Sequence, residues 1–184
     1  MCKSIFLIGY RATGKTSVGR RLAKELNFRF LDLDRELEHR QGRTIAELVA
    51  AQGWPHFRGL ERELLVEVSG QPGLVVSTGG GAILHQELWP RIKEAGLVIW
   101  LFADLDTVGA RLGRGRNLKS PRPSLTGRDL VAEAAEVMAA REPLYRAGCH
   151  LAVDTSGRTV TQIVARIVAL AQGFSGDPPA PPST

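Results

Sequence analysis

The feature that most constrains this chain is a glycine-bounded loop that joins a short apolar run to a helical pattern. The loop follows the apolar residues 5–8, is bounded by Gly9 and Gly14, and leads into Lys15 and Thr16. This order is typical of a P-loop, in which successive backbone N–H groups and the start of a helix surround phosphate groups. We therefore expect a nucleotide to bind on Gly9, Ala12, Thr13, Gly14, Lys15, Thr16 and Ser17.

Two side chains of this loop have expected roles in phosphate chemistry. Lys15 can bridge the β- and γ-phosphates as a point charge, and the Thr16 hydroxyl can coordinate a magnesium ion that the same phosphates hold. The motif indicates a nucleotide and leaves the reaction open.

The size and composition of the chain fit one globular domain. The chain has 184 residues, of which 43% are hydrophobic and 23% are charged, and we expect the domain to span residues 1–173. Residues 174–184 are rich in proline and poor in apolar side chains, which predicts a disordered tail. The start of the chain has no secretory pattern, and no apolar run approaches membrane-spanning length. We expect a cytoplasmic monomer without a membrane partner.

The positive charge of the chain permits nucleic-acid binding but does not favour it. The formal net charge is +5, and the arginines are dispersed except for a cluster between Arg111 and Arg122. That cluster has no interleaved aromatic residues on which bases could stack. Residues 113–125 lack periodicity and are rich in glycine, proline and positive charge, which predicts a mobile lid that closes over phosphate. For most of these residues taken singly, a solvated surface loop is the favoured interpretation.

Apolar runs alternate with helical patterns along the chain. The expected strands lie near residues 3–8, 30–34, 74–77, 97–102 and 151–154. A P-loop followed by this alternation predicts an α/β fold with three layers, a five-stranded parallel sheet covered by helices on both faces. Ligands of such sheets lie at the carboxyl ends of the strands.

The second strand and the segment after it are the expected acceptor-binding region, about residues 33–62. The alternation of apolar and acidic residues through Asp32 and Asp34 predicts a strand end that presents two carboxylates on one side. The capping-box pattern of Thr44 and Glu47 predicts a helix over 44–51. Gly53 and Pro55 would break the chain before a second helix over 57–68, so we expect a helical insertion.

Elimination favours a small-molecule kinase. The chain has no Asn-Lys-X-Asp pattern for reading guanine, and its third strand ends in Ser-Thr-Gly-Gly-Gly rather than in the acidic residue typical of motor-like ATPases.

Six motifs in the same order together resemble the shikimate kinase family, over most of the chain from residue 5 to the last helix. They are the P-loop, Asp32-Leu33-Asp34, Phe57-Arg58 with Glu61, Thr78-Gly79-Gly80-Gly81, Arg122-Pro123 before Leu125 and Gly127, and Arg141 before Leu144-Tyr145-Arg146. The resemblance implies transfer of the ATP γ-phosphoryl group, with Mg²⁺ as cofactor, to the 3-hydroxyl of shikimate in aromatic amino-acid biosynthesis. Its expected partners are shikimate and ATP, without nucleic acid.

The resemblance also implies roles for individual acceptor-side residues. Asp34 would accept hydrogen bonds from the shikimate hydroxyls and orient the attacking one. Arg58 and Arg141 would bind the substrate carboxylate, since guanidinium groups bind carboxylates bidentately. Glu61 would hold Arg58, and the backbone of Gly79, Gly80 and Gly81 would approach the substrate ring.

On the nucleotide side, the resemblance implies that Asp32 helps to hold magnesium together with Thr16. Arg122 would be the lid arginine that closes over the transferring group, so that Lys15, Asp34 and Arg122 form the expected catalytic set. Arg111 and Arg158 match positions that flank adenine, although each match depends on a single residue.

Simpler interpretations remain open at this stage. Asp32 and Asp34 could be acids in the first turn of a helix, Arg58 and Glu61 an ordinary surface ion pair, and Arg141 a cation at a helix end. Two other functions also remain: another small-molecule kinase, such as a gluconate kinase, and a noncatalytic basic module that binds nucleotide or RNA. Ala12 stands where many family members have a further glycine, and the lid is longer and more basic than in compact members.

Overall fold

The computed structural model describes residues 4–115 and 130–172, and it contains a parallel sheet of five strands in the order β2-β3-β1-β4-β5. The strands are β1 (Ile5–Ile8), β2 (Arg29–Asp32), β3 (Leu74–Ser77), β4 (Leu97–Phe102) and β5 (Leu151–Asp154). The helices are α1 (Lys15–Leu26), α2 (Leu33–Gln41), α3 (Ile45–Ser69), α4 (Trp89–Ala95), α5 (Leu105–Gly115), α6 (Leu130–Gly148) and α7 (Val160–Gln172).

The central strand β1 shows why helices cover both faces of the sheet. Side chains alternate across a strand, so Phe6 and Ile8 join a core formed with α2, α3, α4 and α6. Ile5 and Leu7 point to the other face and pack in a second core with α1 and α7. The predicted three-layer α/β fold with a five-stranded parallel sheet is therefore confirmed.

The prediction that the second strand extends to Asp34 is wrong. Strand β2 ends at Asp32, whose Oδ1 accepts a hydrogen bond from the Arg35 backbone N–H at 3.4 Å and so caps α2. Asp34 lies in the first turn of that helix. The alternation of apolar and acidic residues therefore runs across a strand-to-helix junction, since aspartate favours N-caps and first turns.

Helix α3 is broken where the sequence predicted a break. Thr44 and Glu47 form the expected capping box, and Gly53 interrupts the helix with φ 81° and ψ 167°, two residues before Pro55. This left-handed φ suits glycine. The kink redirects the second half of α3, which carries Arg58 and Glu61, so the predicted helical insertion is present in two parts.

One further predicted boundary is wrong, and one helix was not predicted. Residues 113–115, predicted to begin the lid, are the last turn of α5. The segment between β3 and β4 contains two 3₁₀ turns, Ala82–Leu84 and Gln86–Leu88, and helix α4, which the sequence pattern did not indicate.

Other predicted segments lie outside the described residues. These are the rest of the proposed lid, including Arg122, and the proposed tail at 174–184. Within the described ranges, no helix has the length and apolar content required to cross a membrane.

Candidate functional site

The P-loop takes the backbone conformation that its glycines predict. Gly9 and Gly14 have φ of 138° and 95°, and a Cβ on Gly9 would lie 2.1 Å from the Leu101 carbonyl oxygen. The Lys15 Nζ donates to the carbonyl oxygens of Gly9 and Tyr10 at 2.7 and 2.8 Å. The loop thus places a buried ammonium group at the start of α1, where phosphate is expected to bind.

Thr16 and Asp32 meet beside the P-loop. The Thr16 hydroxyl donates to Asp32 Oδ2 at 2.7 Å, so helix α1 and strand β2 bring together the two residues predicted to hold magnesium. A hydroxyl and a carboxylate are the hard oxygen donors that Mg²⁺ prefers, with phosphates and water completing its shell. The donor set therefore fits this ion.

Arg111 supports the P-loop from α5. Its guanidinium donates to the Ala12 carbonyl oxygen at 3.2 Å and to the Thr155 carbonyl oxygen at 2.8 Å. The Thr155 hydroxyl is itself 3.2 Å from the Thr13 carbonyl oxygen, to which it donates. These bonds tie the loop to the segment after β5. The adenine contact expected of Arg111 remains a prediction, as does that of Arg158, which is exposed and donates to the Asp154 carbonyl oxygen.

One cleft beside the P-loop brings together all the residues predicted to bind the acceptor. Asp34 comes from α2, Arg58 from the second half of α3, and Arg141 from α6. The lining also includes Phe57, Glu61 and the triglycine (Gly79, Gly80 and Gly81). Four further lining residues were not singled out by the sequence as acceptor-binding: Tyr10, Arg11, Ile45 and Trp54.

Arg58 is held against one wall of the cleft. Its Nη1 donates to Glu61 Oε2 at 2.5 Å, and its guanidinium carbon lies 5.4 Å from the ring centroid of Trp54 and 5.2 Å from that of Phe57. Glu61 is only 1% exposed. The pair is therefore a partly buried feature of the site rather than an exposed surface ion pair.

The triglycine lets these charged groups approach the backbone. A Cβ on Gly81 would lie 2.2 Å from the Arg58 guanidinium. A Cβ on Gly79 would lie 2.5 Å from Glu61 Oε1 and 2.8 Å from Asp34 Oδ1. A side chain at either position would displace a charged group that lines the cleft.

Two side chains of helix α6 form hydrogen bonds to Gly80, the middle residue of the triglycine. Arg141 Nη1 and the Tyr145 hydroxyl both donate to the Gly80 carbonyl oxygen, at 2.9 and 2.6 Å. Burial raises the pKa of Tyr145, so it remains a protonated donor. Arg141 is thereby fixed in the lining of the cleft by a hydrogen bond to the backbone.

Sequence analysis did not find Arg11 in the cleft lining, nor two side chains that contact the lining, Glu133 and His85. Arg11 forms an ion pair with the fully buried Glu133 and donates through Nε to the Tyr10 hydroxyl at 2.9 Å. His85 Nε2 lies 3.2 Å from Glu61 Oε2. Arg11 stands inside the P-loop and was recoverable from that position, whereas Glu133 and His85 belong to no local motif.

Comparisons with known proteins agree on one family. The family model described as shikimate kinase matches residues 11–172. Shikimate kinase 2 of Enterobacter sp. (strain 638) is 44% identical, covering 91% of this chain and 95% of its own length. Shikimate kinase of Rhodopirellula baltica is 37% identical, covering 94% and 92%. The structure of shikimate kinase from Acinetobacter baumannii in complex with shikimate has a TM-score of 0.88 at 30% identity, covering 95% and 96%.

Proposed function

The chain belongs to the shikimate kinase family, and on that premise we propose that it transfers the γ-phosphoryl group of ATP to the 3-hydroxyl of shikimate. The products are shikimate 3-phosphate and ADP, within aromatic amino-acid biosynthesis. We also propose that the catalytic unit is one domain over residues 1–173, acting as a cytoplasmic monomer.

The observation that carries this proposal is the charge pattern of the cleft. Two arginines, Arg58 and Arg141, line it together with the carboxylate of Asp34, directly beside the P-loop. Guanidinium groups suit a carboxylate, and a carboxylate suits hydroxyl donors. The cleft therefore supports a small acceptor that has an acidic group at one end and hydroxyls at the other.

The P-loop supplies the donor side of the reaction. Its backbone N–H groups and Lys15 would hold the phosphates, and Thr16 and Asp32 would hold a magnesium ion, which neutralises phosphate charge when bound. Lys15 would leave its two carbonyl partners in part to follow the charge that develops on the transferring group.

Asp34 would orient the acceptor. It is 8% exposed and lies at the start of α2, so its carboxylate has a fixed position from which to accept a hydrogen bond from the attacking hydroxyl. Arg58 and Arg141 would bind the carboxylate of shikimate and so hold its ring in a fixed position and orientation relative to the phosphates of ATP. The closure of a lid and the role of Arg122 within it remain part of the proposal.

The experiment that tests the proposal is ADP release from ATP in the presence of magnesium. The assay is run without acceptor, with shikimate, with gluconate and with a nucleoside monophosphate. Strong stimulation by shikimate alone is expected. Stimulation by gluconate or the nucleotide alone would retain the P-loop assignment and refute the acceptor, and no stimulation by any acceptor would favour a binding module.

A further inference from the structure

The buried carboxylate of Glu61 is held by more than the arginine that it orients. Its Oε2 contacts both Arg58 Nη1, at 2.5 Å, and His85 Nε2, at 3.2 Å. Its Oε1 accepts no hydrogen bond from any described residue and is shielded from solvent. Glu61 thus depends on two donors, both of which meet the same oxygen.

His85 reaches Glu61 from a fixed backbone position. It stands between the two 3₁₀ turns that follow the triglycine, with its N–H bonded to the Ala82 carbonyl and its carbonyl to the Leu88 N–H, at 3.1 and 3.0 Å. Its side chain is 11% exposed. Because an ionised carboxylate only accepts hydrogen bonds, the His85 Nε2 must carry a hydrogen.

Removal of the His85 donor would leave the buried Glu61 carboxylate with one hydrogen bond fewer. A buried carboxylate that has lost a partner is costly, and Arg58 would be the cationic partner left within hydrogen-bond reach. The guanidinium would then turn to satisfy the Glu61 oxygens bidentately. Its free N–H groups would point away from the cleft, where the substrate carboxylate is expected.

We propose that His85 is a positioning residue for the acceptor: it holds Glu61, and through Glu61 it keeps the Arg58 guanidinium directed at the carboxylate of shikimate. This inference depends on the proposed function, because it assumes a carboxylate-bearing acceptor in the cleft. It assigns His85 no contact with substrate and no part in phosphoryl transfer.

The test compares variants with and without a donor at position 85. His85→Leu and His85→Ala lack a donor, whereas His85→Gln retains an N–H₂ group that can reach Glu61. His39→Leu is the matched control, because His39 is an exposed histidine on α2. The measured quantities are the KM for shikimate, the KM for ATP and kcat, with unfolding by urea as a check on folding.

The expected result is a selective loss of acceptor affinity. His85→Leu and His85→Ala should raise the KM for shikimate about tenfold, which corresponds to roughly 1.4 kcal/mol. The KM for ATP and kcat should change less than about twofold, and His85→Gln should recover most of the loss, since it restores the hydrogen bond. His39→Leu should have the same KM values and kcat as the wild-type protein.

Two results would overturn the role of His85. One is an unchanged KM for shikimate in His85→Leu and His85→Ala; the other is an equal rise in His85→Gln, which would indicate packing rather than hydrogen bonding. The unchanged protein is assayed first, and its failure to phosphorylate shikimate would instead refute the proposed function.

Discussion

At the scale of single residues, the acceptor side of the site is built from charged groups packed onto bare backbone. Arg58 lies on Gly81, and Glu61 and Asp34 both approach Gly79. Glycine is required here by the space that a Cβ would occupy, since Gly81 has an ordinary φ of −100°. A substitution at Gly81 should therefore alter the position of Arg58 more than the stability of the fold.

We predict that Gly81→Ala raises the KM for shikimate. The new methyl group would overlap the Arg58 guanidinium, and the loss of one charge-assisted hydrogen bond costs about 1.5–3 kcal/mol, or roughly tenfold or more in KM. Gly59→Ala is the control, because a Cβ on this exposed glycine of the same helix as Arg58 would meet no atom within 4 Å. An unchanged KM in Gly81→Ala, measured by steady-state kinetics, would contradict the assigned geometry.

Asp34→Asn should separate chemistry from nucleotide binding. The amide keeps the shape of the side chain but is a poor acceptor for the proton of the attacking hydroxyl, so kcat should fall by about 100-fold or more. Calorimetry should find nucleotide affinity nearly unchanged, because the P-loop is intact. Shikimate phosphorylation at a near-normal rate would exclude the proposed role of Asp34.

At the scale of elements, local patterns predicted what depends on near neighbours. The glycine-bounded loop, the capping box at Thr44 and the break at Gly53 each involve residues close in sequence, so each was visible before the structure. The end of β2 was predicted two residues too late. The alternation of apolar and acidic residues, which has the period of a strand, continues through the N-cap Asp32 into the first turn of α2. Helix α4 was missed because its seven residues are too few to establish a helical period.

Long-range pairs could not be predicted from such patterns. Arg11 and Glu133 are 122 positions apart, and His85 is 24 positions from Glu61. Neither pair leaves a periodic signal, because the sheet and the helix packing alone bring its members together. The motif resemblance supplied Arg58, Glu61 and Arg141 as candidates, and the packing of α3 and α6 against the triglycine places them in one cleft.

His150 lies immediately before β5 and forms hydrogen bonds with the neighbouring strand β4. The His150 backbone N–H donates to the Val98 carbonyl oxygen at 2.8 Å, and its Nδ1 accepts from the Val98 N–H at 3.0 Å. Protonation of Nδ1 would remove the acceptor. Burial, with a smaller contribution from Lys93, lowers the pKa of His150 from the ordinary 6.5.

This arrangement predicts a stability that declines in acid. Because the folded-state pKa of His150 lies below the unfolded value, its contribution is fully present above about pH 6.5 and is lost as the pH falls through the folded-state pKa. His150→Asn, whose side-chain oxygen can accept from Val98 but does not titrate, should flatten the free energy of unfolding between about pH 7 and 5. Urea denaturation at several pH values measures this. His39→Asn is the control, and an equal slope in His150→Asn and the unchanged protein would contradict the prediction.

At the scale of the whole molecule, most contacts of the phosphate side and of the acceptor side lie on opposite sides of β1, with Asp32 at the end of β2 and Arg141 on α6 as exceptions. The phosphate loop follows β1 and is supported from the β4 and β5 side by Leu101, Arg111 and Thr155. Asp34 and Arg58 come from elements that follow β2 and lie on the β2 and β3 side. The two ligands should therefore stabilise the fold through largely separate contacts.

Thermal unfolding with each ligand should reveal this separation. A ligand at 100 times its Kd stabilises by about 2.7 kcal/mol, which for a chain of this size raises Tm by about 5–10 °C. Arg58→Ala should lose the shift with shikimate and keep the shift with Mg·ADP. Loss of both shifts would indicate that the halves are not separable.

Most of the residues that line the acceptor cleft come from one part of the chain. Among the described residues, and apart from Arg141 and the phosphate-loop residues Tyr10 and Arg11, the cleft is lined from one stretch of chain between Asp34 and Gly81. A recombination event that replaced that single stretch of gene would bring in a new acceptor while the phosphate donor machinery was inherited intact. Such a history predicts that descendants differ most in what they phosphorylate and least in what they use as the phosphate source.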